Sequence, residues 1–163
     1  MRPVNKKTLL KIQKVALQEY YSYGNEWEKA YFDIFSGGFV VVNKQRINHS
    51  TTSKNEKAKF DKELSMSKIF AKNGYKIEML EEIPRIPSPD VKVNGLLADL
   101  KKVSGHNNIV KYATKAINIQ GANLILFQFD KINELVFGAI EALKKRKIRG
   151  MYFVTGKEDV IEF

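Results

Sequence analysis

Two aspartates and a lysine, close together in one stretch, carry the clearest chemistry in this chain. In DVKVNGLLADLKK, residues 90–102, Asn94-Gly95 separates two strand-like runs, and Asn-Gly in that setting specifies a two-residue type I′ hairpin. With Asn94 and Gly95 as the turn, Val93 pairs with Leu96, and counting outward sets Asp90 opposite Asp99. Asp99 and Lys101 lie two residues apart on one arm, so their side chains leave the same face of the sheet. Opposed carboxylates repel unless a cation or a proton sits between them. A divalent ion with hard oxygen ligands relieves that repulsion. A neighbouring ammonium group can then hold an attacking water or stabilise charge building on a phosphoryl oxygen. The competing reading of Asp99 and Lys101 is a solvated charge pair on an exposed strand face.

The surrounding elements must position this hairpin. Residues 6–23 carry Leu9, Leu10, Ile12, Val15, Ala16 and Tyr20 at helical spacing before Gly24. Asn25 is expected to cap a second short helix through Phe35, with Trp27, Ala30, Tyr31 and Ile34 as its apolar stripe. FVVV at 39–42 reads as a strand. Residues 43–57, polar and basic, read as a mobile surface loop ending in a Ser/Thr cap. A helix over about 55–72 places Phe60, Leu64, Ser67 and Ala71 on one face and stops at Asn73-Gly74. Strand YKIEML (75–80) and the irregular, proline-rich EEIPRIPSP lead into the hairpin.

Beyond the hairpin, a helix over about 107–120 buries Ile109, Ala113, Ala116 and Ile117, and ANLILFQF reads as a central strand buried on both faces. A helix over 133–147 turns Val136, Ile140 and Leu143 inward and ends in a basic run, and GMYFVTG is the last strand before a short tail. Alternating strands and helices predict an α/β (α+β) fold, a single mixed, mainly antiparallel sheet with helices packed on it, preceded by N-terminal helices. The expected division is a helical appendage over 1–36 and an α/β domain over 37–163.

The chain has 163 residues, enough for one well-buried core. It has no Cys, which removes disulfides, thiolate metal sites and Cys nucleophiles. No apolar run is long enough to span a bilayer, and no leader of an export signal opens the sequence, so a soluble protein is expected. A net charge of +10 points to a polyanionic partner, nucleic acid first, because each Lys or Arg on a phosphate releases a counterion.

The string PD at 89–90, nine residues from Asp90 to Asp99, and the triplet Asp99-Leu100-Lys101 resemble the PD-(D/E)xK nuclease signature. That resemblance implies that Asp90 and Asp99 bind Mg2+ or another divalent cation and that Lys101 assists hydrolysis. It also matches an acid-bearing helix, here with Glu63, to a further metal ligand. A wider resemblance spans residues 38–156, from GGFVVV through the basic loop with His49, AKNGYKIEMLEE, PDVKVNGLLADLKK and SGHNNIVKYATKAINIQGANLILFQFD to IRGMYFVTGK. These segments are similar to C-terminal toxin domains of contact-dependent growth inhibition proteins and of phage and conjugative-element polymorphic toxins. That group is similar to the metal-independent barnase, EndoU, colicin and RelE ribonucleases. Where the family often has Glu before x-Lys, this chain has Asp99, a shorter acid.

The second resemblance implies a ribonuclease acting on tRNA without a cofactor, with residues 37–163 as the nuclease-like domain. The ribose 2′-hydroxyl attacks, His106 or His49 serves as base, and Lys101 or Lys102 stabilises the transition state. Lys102, Ser104, Asn107, Asn108, Lys111, Gln120 and His49 are its candidate nucleic-acid contacts, while Ser104 or Asn107 could instead simply cap the following helix. Further implications are an acidic immunity protein as partner, delivery as the C-terminal part of a larger secreted or phage protein, and action in the cytoplasm of the producing or target bacterium. Both resemblances imply phosphodiester cleavage, and the longer one favours RNA. A nucleic-acid-binding module without chemistry is the alternative from a different class.

Overall fold

The computed structural model describes residues 5–163. Five helices and eight strands follow one another as α1 (Lys6–Ser22), β1 (Trp27–Phe32), β2 (Phe39–Asn43), α2 (Lys44–Ser50), α3 (Lys54–Lys72), β3 (Lys76–Met79), β4 (Val91–Val93), β5 (Leu96–Val103), α4 (Ile109–Asn118), β6 (Leu124–Phe129), α5 (Glu134–Lys145), β7 (Arg149–Val154) and β8 (Ile161–Glu162). The chain forms two compact units, Met1–Met79 and Leu80–Phe163. The mixed α+β class is the expected one. Within the units three strand pairings are antiparallel and three parallel, so antiparallel pairing does not dominate.

In the first unit β2 runs antiparallel to β1 and parallel to β3. Tyr20 of α1 closes a small aromatic core with Phe39 and Val41, against which Tyr23, Trp27 and Phe32 pack. Residues 25–35, expected to be helical, instead contain β1, with a bulge between Lys29 and Tyr31. Trp27, Tyr31 and Phe32 suit a half-buried pleated surface as well as a helical stripe, and ladder bonds to β2 decide between them.

The stretch expected as a mobile loop contains α2, whose first turn is capped by the Asn43 side chain accepting from the Gln45 amide. Its buried residues are Arg46 and Ser50 rather than aliphatics, so it shows no hydrophobic period. The Ser53 hydroxyl accepts from the Glu56 amide to start α3. Buried Met66 and Phe70 join Phe60 on that helix, while Leu64 is only partly covered. Gly38 lets α3 approach β2: a Cβ there would lie 1.8 Å from the Ala71 carbonyl oxygen.

The second unit forms around the hairpin. Asn94 (φ 48°) and Gly95 (φ 85°) both have left-handed backbones, as a type I′ turn requires, and Val93 pairs with Leu96 as counted. From β5 the chain crosses through α4 to the parallel strand β6, and from β6 through α5 to the parallel strand β7. Residues 124–127 of β6 are all buried between their two neighbours. Ile125, Phe127 and Phe129 pack with Ile109, Ala113 and Ala116 of α4 and with Val136, Ile140 and Leu143 of α5. The C-terminal tail returns as β8, antiparallel to β7.

Candidate active site in the second unit

The β5–β6 register places Asp99 beside Ile125 and Lys101 beside Phe127. Ile125 and Phe127 belong to the core under α4 and α5, so Asp99 and Lys101 project from that same face. Asp99 is fully buried, whereas the Lys101 side chain is 29% exposed. Lys101 Nζ lies 3.0 Å from Asp99 Oδ2, and Gln120 Nε2 donates to Asp99 Oδ1 at 3.2 Å. Gln120 reaches this carboxyl because Gly121 ends the segment after α4 just before the chain turns into β6.

Asp90 stands immediately before β4. Its amide donates to the Ala98 carbonyl at 3.1 Å, and its Oδ2 accepts from the Leu100 amide at 2.9 Å. The backbone of one hairpin arm thus holds the carboxylate of the other. Burial first, and then the hydrogen bond and charge of Asp90, push Asp99 from 3.8 up to about 7, against the opposing pull of Lys101. Asp99 Oδ2 has the ammonium group near it but no well-directed hydrogen bond, and Gln120 Oε1 is buried without a donor. Buried acceptors left in this way are costly unless something else satisfies them.

These oxygens are hard donors, and two of the side chains that bear them, Asp90 and Asp99, carry acid groups. The chemistry of the set suits a Mg2+-class cation, for which Asp90 and Asp99 would be the carboxylate ligands. Lys101 stands alongside as the cationic group expected next to a reacting phosphate.

The structure thus brings together Asp90, Asp99, Lys101 and Gln120. Lys102 projects to the opposite face of β5 and lies 3.8 Å from Asp130. Ser104, His106, Asn107 and Asn108 occupy the turn between β5 and α4, where Asn108 precedes the helix without a side-chain cap bond. Among the described residues no hydrogen bond or ion pair joins His106 to Asp99 or Lys101. Lys111 is exposed on α4. His49 and Glu63 belong to the first unit. His49 Nε2 lies 3.1 Å from Glu56, and Glu63 is buried in an ion pair with Arg46.

Sequence reasoning missed Asn123, whose side-chain oxygen accepts from the Leu97 amide at 3.1 Å and ties the entry of β6 to the hairpin arm that bears Asp99. No spacing signal pointed to it.

No protein-family model matches this sequence, and neither does any curated protein. Among solved structures, the fold is similar to a chain of the CdiA-CT/CdiI toxin and immunity complex from Burkholderia pseudomallei, with a TM-score of 0.54 and 13% identity over 69% of this chain and 89% of that one.

Proposed function

We propose that this chain is a toxin nuclease that hydrolyses phosphodiester bonds in RNA, tRNA in particular, using Asp90, Asp99 and Lys101 with a divalent cation. The observation that carries this reading is the buried Asp99 carboxyl, set against Asp90 and next to Lys101, with an oxygen that lacks a directed donor. Such an arrangement costs stability in the empty site and gains purpose when an anionic substrate and its cation arrive. The cation, when bound, supplies Lewis-acid polarisation of the phosphoryl group and acidifies a water.

Asp90 and Asp99 would supply the oxygen ligands, Asp90 held by the Leu100 amide and Asp99 by Gln120. The Lys101 ammonium faces charge developing on the phosphoryl oxygens, where a preorganised cation in a half-buried position is worth far more than in water. RNA is favoured by the resemblance over residues 38–156, and the +10 charge favours a polyanion of either kind.

The fold likeness to a chain of a toxin and immunity complex supports the toxin reading. It also supports an immunity protein as partner, and a basic toxin calls for an acidic one, because charge complementarity speeds association. Delivery as the C-terminal part of a larger secreted or phage protein, with action in the cytoplasm of the target cell, belongs to the same proposal.

Purified protein is incubated with tRNA, total RNA and duplex DNA, with Mg2+ or Mn2+ and with EDTA. The expected result is RNA cleavage that EDTA stops and that Asp99→Ala and Lys101→Ala abolish. EDTA-resistant cleavage would replace the cation-assisted route with the 2′-hydroxyl route. Binding without cleavage by the wild type would leave only a nucleic-acid-binding module.

A further inference from the structure

A second polar depression lies in the same unit, at the C-terminal ends of α4 and α5. It encloses about 280 Å3 and is lined by Thr114, Asn118, Asn123, Arg146 and Lys147 together with Ile117 and Ile148. The Thr114 hydroxyl oxygen is buried and has no hydrogen-bond partner. Arg146 and Lys147 are exposed and have no carboxylate partner among the described residues, whereas the nearby Lys144 is paired with Glu141.

Two connections join this depression to the candidate active site. Asn118 precedes by two residues the Gln120 that donates to Asp99. Asn123 accepts from the Leu97 amide, two residues before Asp99. A single stretch, 114–123, therefore borders the depression at one point and the Asp99 carboxyl at another.

We infer that this depression is a second phosphate subsite, which takes a backbone phosphate and its sugar from a nucleotide flanking the bond to be cut. The inference rests on the nuclease reading for its role in turnover, but the binding itself can be tested without it. Its chemistry is that of a phosphodiester: two cations at the rim, two side-chain amides, and a hydroxyl whose hydrogen-bonding capacity is unused. The volume lies at or below the range of roughly 300–1,000 Å3 typical of small-molecule sites, which suits a phosphate and sugar better than an extended ligand.

The structural alternative is that Arg146 and Lys147 only offset the negative ends of the two helices. That role would change melting temperature and leave nucleic-acid binding alone. A cation that contacts a single-stranded phosphate also contributes about 0.7 to the slope of log affinity against log salt.

The test uses the full chain carrying Asp99→Asn, so that the probe stays intact, and a 5′-fluorescein single-stranded RNA read by anisotropy over a salt series. Thr114→Val, which keeps the shape and removes the hydroxyl, is expected to weaken binding about fivefold. Arg146→Gln with Lys147→Gln is expected to lower the salt slope by about 1 or more. Thr114→Val should melt at or slightly above its parent, because it removes a buried hydroxyl without a partner, and the double variant should melt close to it. Lys131→Gln, at an exposed lysine after β6, is the control and should lower the slope less than the double variant.

Unchanged binding in Thr114→Val and in the double variant overturns the inference, as does a slope lost equally in Lys131→Gln. In the catalytically intact background the same substitutions should raise KM and leave kcat alone. If that background cleaves nothing, the nuclease reading falls while the anisotropy comparison still decides the subsite. If it cleaves RNA with unchanged KM in the variants, the subsite falls and the nuclease reading stands.

Discussion

Asp99, buried in β5, has its pKa raised by burial and by Asp90, whose own carboxyl oxygen accepts from the Leu100 amide at 2.9 Å. The backbone of one hairpin arm thus holds Asp90 near Asp99, and the two carboxyl groups repel when both ionise. The behaviour of the site with pH, cation and mutation follows from that constraint.

Stability should fall as pH rises from about 4 to about 8. The folded-state value of Asp99 is raised to about 7 from 3.8, so the folded chain binds more protons than the unfolded one in that window. The stabilising contribution is complete below the unfolded value and is lost as pH passes through the folded one. Asp99→Asn keeps a neutral hydrogen-bonding group and should melt higher than the wild type at pH 8 in EDTA, with the difference vanishing near pH 4. The gain is on the order of a few kcal/mol at most, and about 2–4 °C accompanies each kcal/mol in a chain of this size. Melting curves of both proteins from pH 4 to 8 check this; a constant difference at every pH would contradict it.

Cation binding should displace the Asp99 proton. Mn2+ should raise the melting temperature more at pH 8 than at pH 5.5, and calorimetry at pH 6.5 in buffers of different ionisation enthalpy should report proton release. Asp90→Ala should abolish both effects by removing one carboxylate ligand. An equal Mn2+ effect in Asp90→Ala would place the ion elsewhere.

Lys101 and Lys102 should separate cleanly although they are neighbours, because one faces the Asp99 carboxyl and the other lies on the opposite face near Asp130. Lys101→Met should lower kcat about 10²–10³-fold, the range for loss of one preorganised charge-stabilising group. Lys102→Met should leave kcat within twofold, a change of about 0.4 kcal/mol in the barrier. Steady-state kinetics on whichever RNA the wild type cleaves is the measurement.

Glu63 should prove to be a support of the first unit. Its buried pairing with Arg46 means that Glu63→Gln removes the carboxylate facing a buried guanidinium, at a cost of about 3–5 kcal/mol. Urea unfolding should show that loss, and Arg46→Met with Glu63→Gln should recover part of it. A Glu63→Gln protein of normal stability that no longer binds Mn2+ would return this acid to the metal-ligand role.

Gly38→Ala should disrupt folding, since its Cβ would fall 1.8 Å from the Ala71 carbonyl oxygen. Gly95→Ala, at φ 85° with open space around it, should cost only about 1 kcal/mol. Circular dichroism and thermal melts of the two variants compare a steric barrier with a backbone preference.

What the amino-acid order determined by itself was local. Asn94-Gly95 has few good conformations, so the hairpin, its register and the meeting of Asp90 with Asp99 were legible from residue types and counting alone. The same holds for β6, where a continuous apolar run can only be buried, and for α5, whose aliphatics recur at helical spacing. The segment over 25–35 was not legible, because Trp27, Ala30 and Tyr31 suit both periods and only pairing with β2 selects the strand. The helix α2 escaped because its buried side chains are Arg46 and Ser50, which rest on polar contacts that no hydrophobic pattern records.

Only tertiary structure decided which side chains join the two acids. Gln120 arrives from beyond α4, and Asn123, Arg146 and Thr114 come together because two crossover helices end side by side. The raised pKa of Asp99 was equally invisible, since desolvation depends on what covers a residue rather than on its neighbours in the chain.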